Sequence, residues 1–195
     1  MIDRLNMLFV GVGGQGILTA SDIAAQVGLD LGLDAKKSEV HGFAQRGGVV
    51  ESHIRWAPSV GSPTCEQGTV DILVSFELLE AVRWIGWLKP DGMLVVNRQK
   101  IMPMSASVGD AVYPEEDEIV AALRARAKRV VVVDALPLAE EAGSARTVNT
   151  ILLAALSSLL ETEPEVWETA ILNRVPERYR DVNKVAFRLG REAAI

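Results

Sequence analysis

Residues 11–16, GVGGQG, put Gly11, Gly13 and Gly16 in the G-x-G-x-x-G spacing. Such a turn lets a backbone approach a pyrophosphate closely, and the helix that follows offers free N–H groups to an anion. The context suits it. LNMLFV (5–10) is an apolar run too short for a helix, and beyond the glycines Ile17, Ala20, Ala24, Val27 and Leu31 recur at helical spacing. A dinucleotide site also needs an acid at the end of the second strand, and Glu39 has a workable separation, although it sits inside SEVHG. A dinucleotide site, a contact to another anion or cofactor, and a purely structural turn all stay open on these residues.

The second segment with chemical potential is SEVHGFAQRGG (38–48), which gathers Glu39, His41, Gln45 and Arg46 with Gly42, Gly47 and Gly48. Arg46 beside a double glycine suits a carboxylate or phosphate; the alternative is a turn whose arginine pairs with a nearby acid. Other chemistries fit less well. There is no Gly-Lys-Ser/Thr of a P-loop and no G-x-S-x-G elbow. His41, His53 and Cys65 would need the fold to bring them together, plus a fourth ligand, so no metal site is expected. Cys65 is the only cysteine, which excludes an internal disulfide and thiolate cages for zinc or iron–sulfur clusters. A net charge of −6 argues against nucleic acid as a partner. The arginines and lysine at 174, 178, 180, 184, 188 and 191 read as a solvated helix face, or as a contact to an acidic partner. No apolar run reaches the ~18 residues of a membrane span, and the N-terminus lacks a cationic lead, so a cytoplasmic protein without a membrane partner is expected.

These residues must be held by alternating strands and helices. Strands are expected at AKKSEV, GVVESHIRW (48–56), VDILVSF (70–76), MLVVN (93–97) and RVVVVDA (129–135), with helices through LLEAVRWIGWL and EEDEIVAALRARAK (115–128). KPDG (89–92) reads as a chain-reversing turn. The alternation in 48–56 sets Val50, Ser52, Ile54 and Trp56 against a wetter face of Val49, Glu51, His53 and Arg55. The last third is helical, with an apolar stripe at 148–160 wide enough for a place between layers or at a subunit contact. The expected fold is a single domain over 1–195: a three-layer α/β/α Rossmann-like architecture with a mixed, mostly parallel sheet, a hairpin-like excursion around 48–70 and a helical C-terminal portion.

GVGGQGILTAS, SEVHGFAQRGGVVESHIRW, DILVSFELLEAVR, LKPDGMLVVN and VNKVAFRLG, in this order across residues 5–190, resemble the gamma-type small subunits of 2-oxoacid:ferredoxin oxidoreductases, most closely those acting on indolepyruvate. The resemblance implies a share in thiamine-diphosphate-dependent oxidative decarboxylation: an aryl pyruvate, coenzyme A and oxidised ferredoxin give an acyl-CoA, carbon dioxide and reduced ferredoxin. It places thiamine diphosphate, magnesium and the iron–sulfur clusters on a larger partner subunit, with no cofactor bound by this chain alone. Accordingly, Gly-Asp-Gly followed by Asn-Asn is missing here. The residues expected to line the shared cleft are Gly11, Gly13, Gly14, Gln15, Gly16, His41, Gln45, Arg46, Gly47 and Gly48. Ferredoxin is then met through the complex, while a coenzyme A contact and a homodimer of the isolated chain stay open. The alternatives are a free-standing NAD(P)-binding dehydrogenase and a purely structural partner subunit.

Overall fold

A computed structural model describes residues 2–41, 48–102 and 112–194. Six strands form one sheet: β1 (Leu5–Val12), β2 (Asp34–His41), β3 (Val49–Ala57), β4 (Val70–Ser75), β5 (Leu88–Asn97) and β6 (Arg129–Val133). Their order is β2-β3-β1-β4-β5-β6. β1, β4, β5 and β6 run parallel, and β3 lies antiparallel to both β1 and β2. The mixed sheet is therefore as expected, but the hairpin is β2–β3, at 34–57 rather than 48–70, and it is built into the sheet.

Helices cover both faces. α1 (Ile17–Asp30) and the C-terminal set α4 (Ala135–Glu141), α5 (Val148–Ser157), α6 (Pro164–Arg174) and α7 (Arg180–Glu192) pack in one core with Met7, Phe9, Ile54, Trp56 and Val95. α2 (Leu78–Trp84) and α3 (Glu116–Arg126) close the other core over Leu8, Val10, Leu73 and Leu94. Successive residues of β1 thus enter opposite cores, which is why LNMLFV is apolar throughout rather than alternating. α5 is buried from Thr150 to Ser157, so its all-round hydrophobicity serves a position between α7 and the sheet. The basic C-terminal residues find local partners: Arg174 reaches Asp22 at 3.1 Å, Arg188 Glu192 at 2.9 Å, and Arg191 the Ser157 hydroxyl at 2.8 Å.

Two local expectations are corrected. KPDG does not reverse the chain; the 3-10 turn Ile85–Trp87 has already done so. β5 starts at Leu88 opposite Val70 and rejoins register at Met93 opposite Ile72, so 89–92 bulge outward, with Asp91 at φ 65° and Lys89 paired to Asp71. The wetter face of β3 is also drier than its pattern suggests. The loop at 58–69 folds over it, Arg55 donates to the Ser62 carbonyl at 2.8 Å, and His53 is only 2% exposed.

Close approach explains two glycines inside helices. A Cβ on Gly28 would lie 2.5 Å from the Trp56 ring, whose Nε1 donates to the Ala24 carbonyl at 3.1 Å. A Cβ on Gly190 would run into the Ile151 carbonyl oxygen and lie 2.8 Å from the Ala154 Cβ. In an open helix, glycine to alanine is favourable by roughly 0.5–1 kcal/mol. At Gly190 the obstacle is backbone of α5, so overpacking dominates and Gly190→Ala should destabilise by about 1–2 kcal/mol. Urea unfolding of the two proteins checks the sign.

Candidate functional site

β1 connects across β3 to β2, whereas β4 connects through α2 to β5 on its other side. The carboxyl ends of β1 and β4 therefore form the crevice where open α/β sheets bind ligands. Gln15 sits there. Its Oε1 accepts from the Val12 amide at 2.7 Å, and its Nε2 donates to the Phe76 carbonyl at 2.8 Å and to Gln99 Oε1 at 2.9 Å. Asn97, 2% exposed at the end of β5, donates to the same Phe76 carbonyl at 3.2 Å and accepts from the Ala135 amide at 3.3 Å. Three amide side chains thus stitch together the ends of β1, β4 and β5 and the start of α4. Neither glycine-containing segment points to Asn97, Gln99 or Asn149; the one signal in the chain is a strand, MLVVN, that ends on an amide.

The glycines serve this arrangement. A Cβ on Gly11 would come within 2.6 Å of Gln15 Oε1 and 2.9 Å of Phe76 Cβ. Gly14 and Gly16 have φ of 102° and 78°, where other residues are strained. Gly16 also faces Asn149, whose Nδ2 donates to the Gly16 carbonyl at 3.1 Å. Gly16 caps α1 without a side-chain cap, and no acid lies in the first turn. The loop forms a ridge between two open clefts. One, of about 440 Å³, is bordered by Gly13, Ile17, Leu18 and Val50. The other, of about 380 Å³, is bordered by Gln99, Leu136, Arg146 and Asn149.

The two segments singled out in the sequence do meet, because the Gly13 amide donates to the Gly48 carbonyl at 2.8 Å. Gly48 thereby fastens the base of the β2–β3 connection to the glycine ridge. His41 ends β2 opposite Val50; its side chain, with Gln45, Arg46 and Gly47, lies outside the described residues. Glu39 does not reach the ridge. It pairs with Lys37 on β2 in register with Ser52, and β3 separates it from β1. The place beside β1 where a dinucleotide-binding fold carries its acid is taken by an antiparallel strand.

His53 and Cys65 do approach one another. The Cys65 amide donates to His53 Nδ1 at 3.3 Å, which leaves the proton of a neutral imidazole on Nε2, 4.0 Å from Glu51 Oε1. Among the described residues no group of three or more His, Cys, Asp or Glu could hold a metal ion. Burial pushes the Cys65 thiol up to about 11, so it is neither thiolate nor nucleophile at neutral pH. Glu77, 1% exposed, caps α2 through the Glu80 amide at 2.8 Å, and its other oxygen accepts from the Ile101 amide at 3.0 Å and from the Tyr113 hydroxyl at 2.5 Å. Burial and this carboxylate hold the Tyr113 hydroxyl protonated far above its ordinary range.

Gln15→Glu keeps the acceptor for Val12 but removes the donor that satisfies Phe76 and Gln99, and should cost about 2 kcal/mol in denaturant unfolding. Burial lowers the His53 pKa below its ordinary 6.5. The unfolded chain then binds a proton at a pH where the folded one does not, so this contribution to stability is lost as pH falls below about 6.5. Glu51, raised by burial, acts oppositely, losing stability as pH rises through its ordinary 4.5. Unfolding at about pH 7.5 and about pH 5.5 should show a smaller acid-induced loss for His53→Gln than for wild type.

The family model of pyruvate ferredoxin/flavodoxin oxidoreductase matches residues 6–193. The chain is 38% identical to indolepyruvate oxidoreductase subunit IorB of Archaeoglobus fulgidus, over 98% of this chain and 96% of that protein. With the same-named subunit of Thermococcus kodakarensis it shares 37% identity, over 97% and 95% of the two chains. Among solved structures, the keto/oxoacid ferredoxin oxidoreductase gamma subunit of Geobacter sulfurreducens superimposes with a TM-score of 0.71 at 24% identity, over 97% of this chain and 98% of that one. A 2-oxoglutarate:ferredoxin oxidoreductase of Magnetococcus marinus, solved with 2-oxoglutarate, coenzyme A and succinyl-CoA, covers all of this chain in 31% of its own length, with a TM-score of 0.70 at 21% identity. By the extent of the family match and the identity to full-length relatives, the chain belongs to the pyruvate ferredoxin/flavodoxin oxidoreductase family, among its small subunits.

Proposed function

We infer that this chain, as one gamma-type domain over 1–195, is the small subunit of a thiamine-diphosphate-dependent indolepyruvate:ferredoxin oxidoreductase. The observation that carries this reading is the stitched crevice at β1 and β4. Its glycine ridge stands between two open clefts and is tied to Gly48, the base of the connection that bears Arg46. One wall of a site fits this geometry better than a closed pocket does. In this reading Gly11, Gly13, Gly14, Gln15, Gly16, His41, Gln45, Arg46, Gly47 and Gly48 line a cleft completed by the larger subunit.

The chain's own chemistry supports that division of labour. A single buried, protonated cysteine cannot ligate a cluster. The thiamine diphosphate, magnesium and iron–sulfur clusters are therefore assigned to the partner, which supplies the decarboxylation and electron transfer to ferredoxin. What this chain contributes is position. The ridge shapes the cleft, and the Arg46 guanidinium faces an anionic group, either the substrate carboxylate or a coenzyme A phosphate. The isolated chain is then inactive.

The test is co-purification with a larger thiamine-diphosphate and iron–sulfur protein, followed by 2-oxoacid-dependent ferredoxin reduction. Indolepyruvate should be the preferred oxoacid. Arg46→Ala should lower turnover of the assembled enzyme by about tenfold or more while this chain's melting temperature is unchanged. Equal steady-state kinetics of variant and wild type would remove Arg46 from the site, and saturable NAD(H) binding by the isolated chain would replace the reading with a dehydrogenase.

A further inference from the structure

Large exposed apolar side chains are unevenly distributed over the molecule. Among the described residues there are eight: Leu18, Leu29, Val40, Val49, Met102, Val112, Leu136 and Val185. Six belong to the carboxyl edge of the parallel strands. Leu18 is the second residue of α1 after the glycine turn, and Leu136 the second of α4 directly after β6. Val40 and Val49 stand at the end of β2 and the start of β3, where Val49 lies in register with Val12. Met102 follows β5, and Val112 precedes the Tyr113 that is bonded to Glu77 at the start of α2. Only Leu29 and Val185 lie elsewhere, on α1 near its far end and on α7.

Single exposed apolar residues are ordinary on a protein surface, but a collection at one end, beside two open clefts, marks an interaction surface. The geometry points to this rim as the docking surface for the larger subunit of the same oxidoreductase, an inference that rests on the function proposed above. The rim surrounds the glycine ridge. Leu18 borders one cleft, and Leu136 the other beside the exposed Arg146. A partner seated on the rim would bury an apolar ring and enclose both clefts, with apolar side chains opposite Leu18, Val49 and Leu136 and a carboxylate opposite Arg146. A second copy of this chain fits less well. Two-fold pairing through the rim would set this patch against itself and close the clefts with the chain's own side chains, adding no cofactor-bearing wall to them.

The experiment uses the complex made by co-expressing this chain with the larger subunit. Leu18→Asp and Leu136→Asp place an acid in the first turn of a helix, where folding tolerates it. Leu29→Lys and Val185→Lys are the controls. The rim variants should weaken association by about tenfold or more, with the controls at the wild-type value. In the wild-type complex, amides at 17–20 and 135–138 should gain protection from hydrogen exchange that those at 27–30 and 183–187 do not. Wild-type affinity in both rim variants, with protection elsewhere, overturns the assignment and leaves the proposed function standing. A homodimer of the isolated chain that the rim variants dissociate, while the larger subunit still binds them normally, overturns it in favour of a second copy. Failure of the wild-type chain to bind the larger subunit at all defeats the proposed function, and the rim assignment with it.

Discussion

One primary amide, the side chain of Gln15, closes the ends of two strands that the topology forces apart. β1 and β4 are hydrogen-bonded neighbours whose connections leave in opposite directions, and the Val12 amide and the Phe76 carbonyl at their ends bond to Gln15 rather than to each other's strand. Unpaired backbone groups at such a crevice carry a free-energy cost that favours either a ligand or a side chain with one donor and one acceptor. Glutamine meets both requirements at once. Gly11 must lack a Cβ to let that side chain lie flat, and Gly14 and Gly16 must adopt positive φ to bring it round. The glycine spacing is thus first a requirement of the protein's own packing, and the clefts beside the ridge are what this packing leaves open.

The same constraint separates this crevice from a dinucleotide site. Both use glycines to bring a helix start near a strand end. Here the Gly13 amide is held by Gly48, and the Gln15 side chain fills the centre of the crevice. The antiparallel β3 beside β1 displaces Glu39 to the edge of the sheet, where Lys37 bridges it to Asp22 on α1. One strand inserted in the reverse direction therefore changes what the turn can bind without altering its motif.

Burial, rather than residue type, decided the behaviour of the remaining reactive groups. His53, Cys65, Glu51 and Glu80 are all shifted toward their neutral forms by desolvation. Glu77 instead keeps a full set of donors, from the Glu80 and Ile101 amides and the Tyr113 hydroxyl, and so ties the end of β5 and the approach to α3 onto α2. A buried carboxyl group with three donors is a structural fastener, whereas Glu51 keeps an unpartnered oxygen and burial raises its pKa.

Much of the architecture was legible in the chain. Apolar runs marked β1, β4 and β6, the 3.6-residue period marked α1, and the wide apolar stripe of 148–160 anticipated a helix between layers or at a subunit contact, because burial on one or both sides imposes distinct periods. The glycine turn and the 38–48 segment were also visible as the places with chemical potential. Local sequence could not say that β3 would stand between β1 and β2, that the loop at 58–69 would dry His53, or that KPDG would bulge within a strand, since each depends on contacts between distant residues. Nor could it show that Asn97, Gln99 and Asn149 converge on Gln15 and Gly16. Residue order by itself determined the elements, the family and the cysteine count that excludes a cluster. Tertiary structure alone decided that the two motifs touch at Gly13 and Gly48, because a hydrogen bond across 35 residues exists only once the sheet has set both backbones side by side.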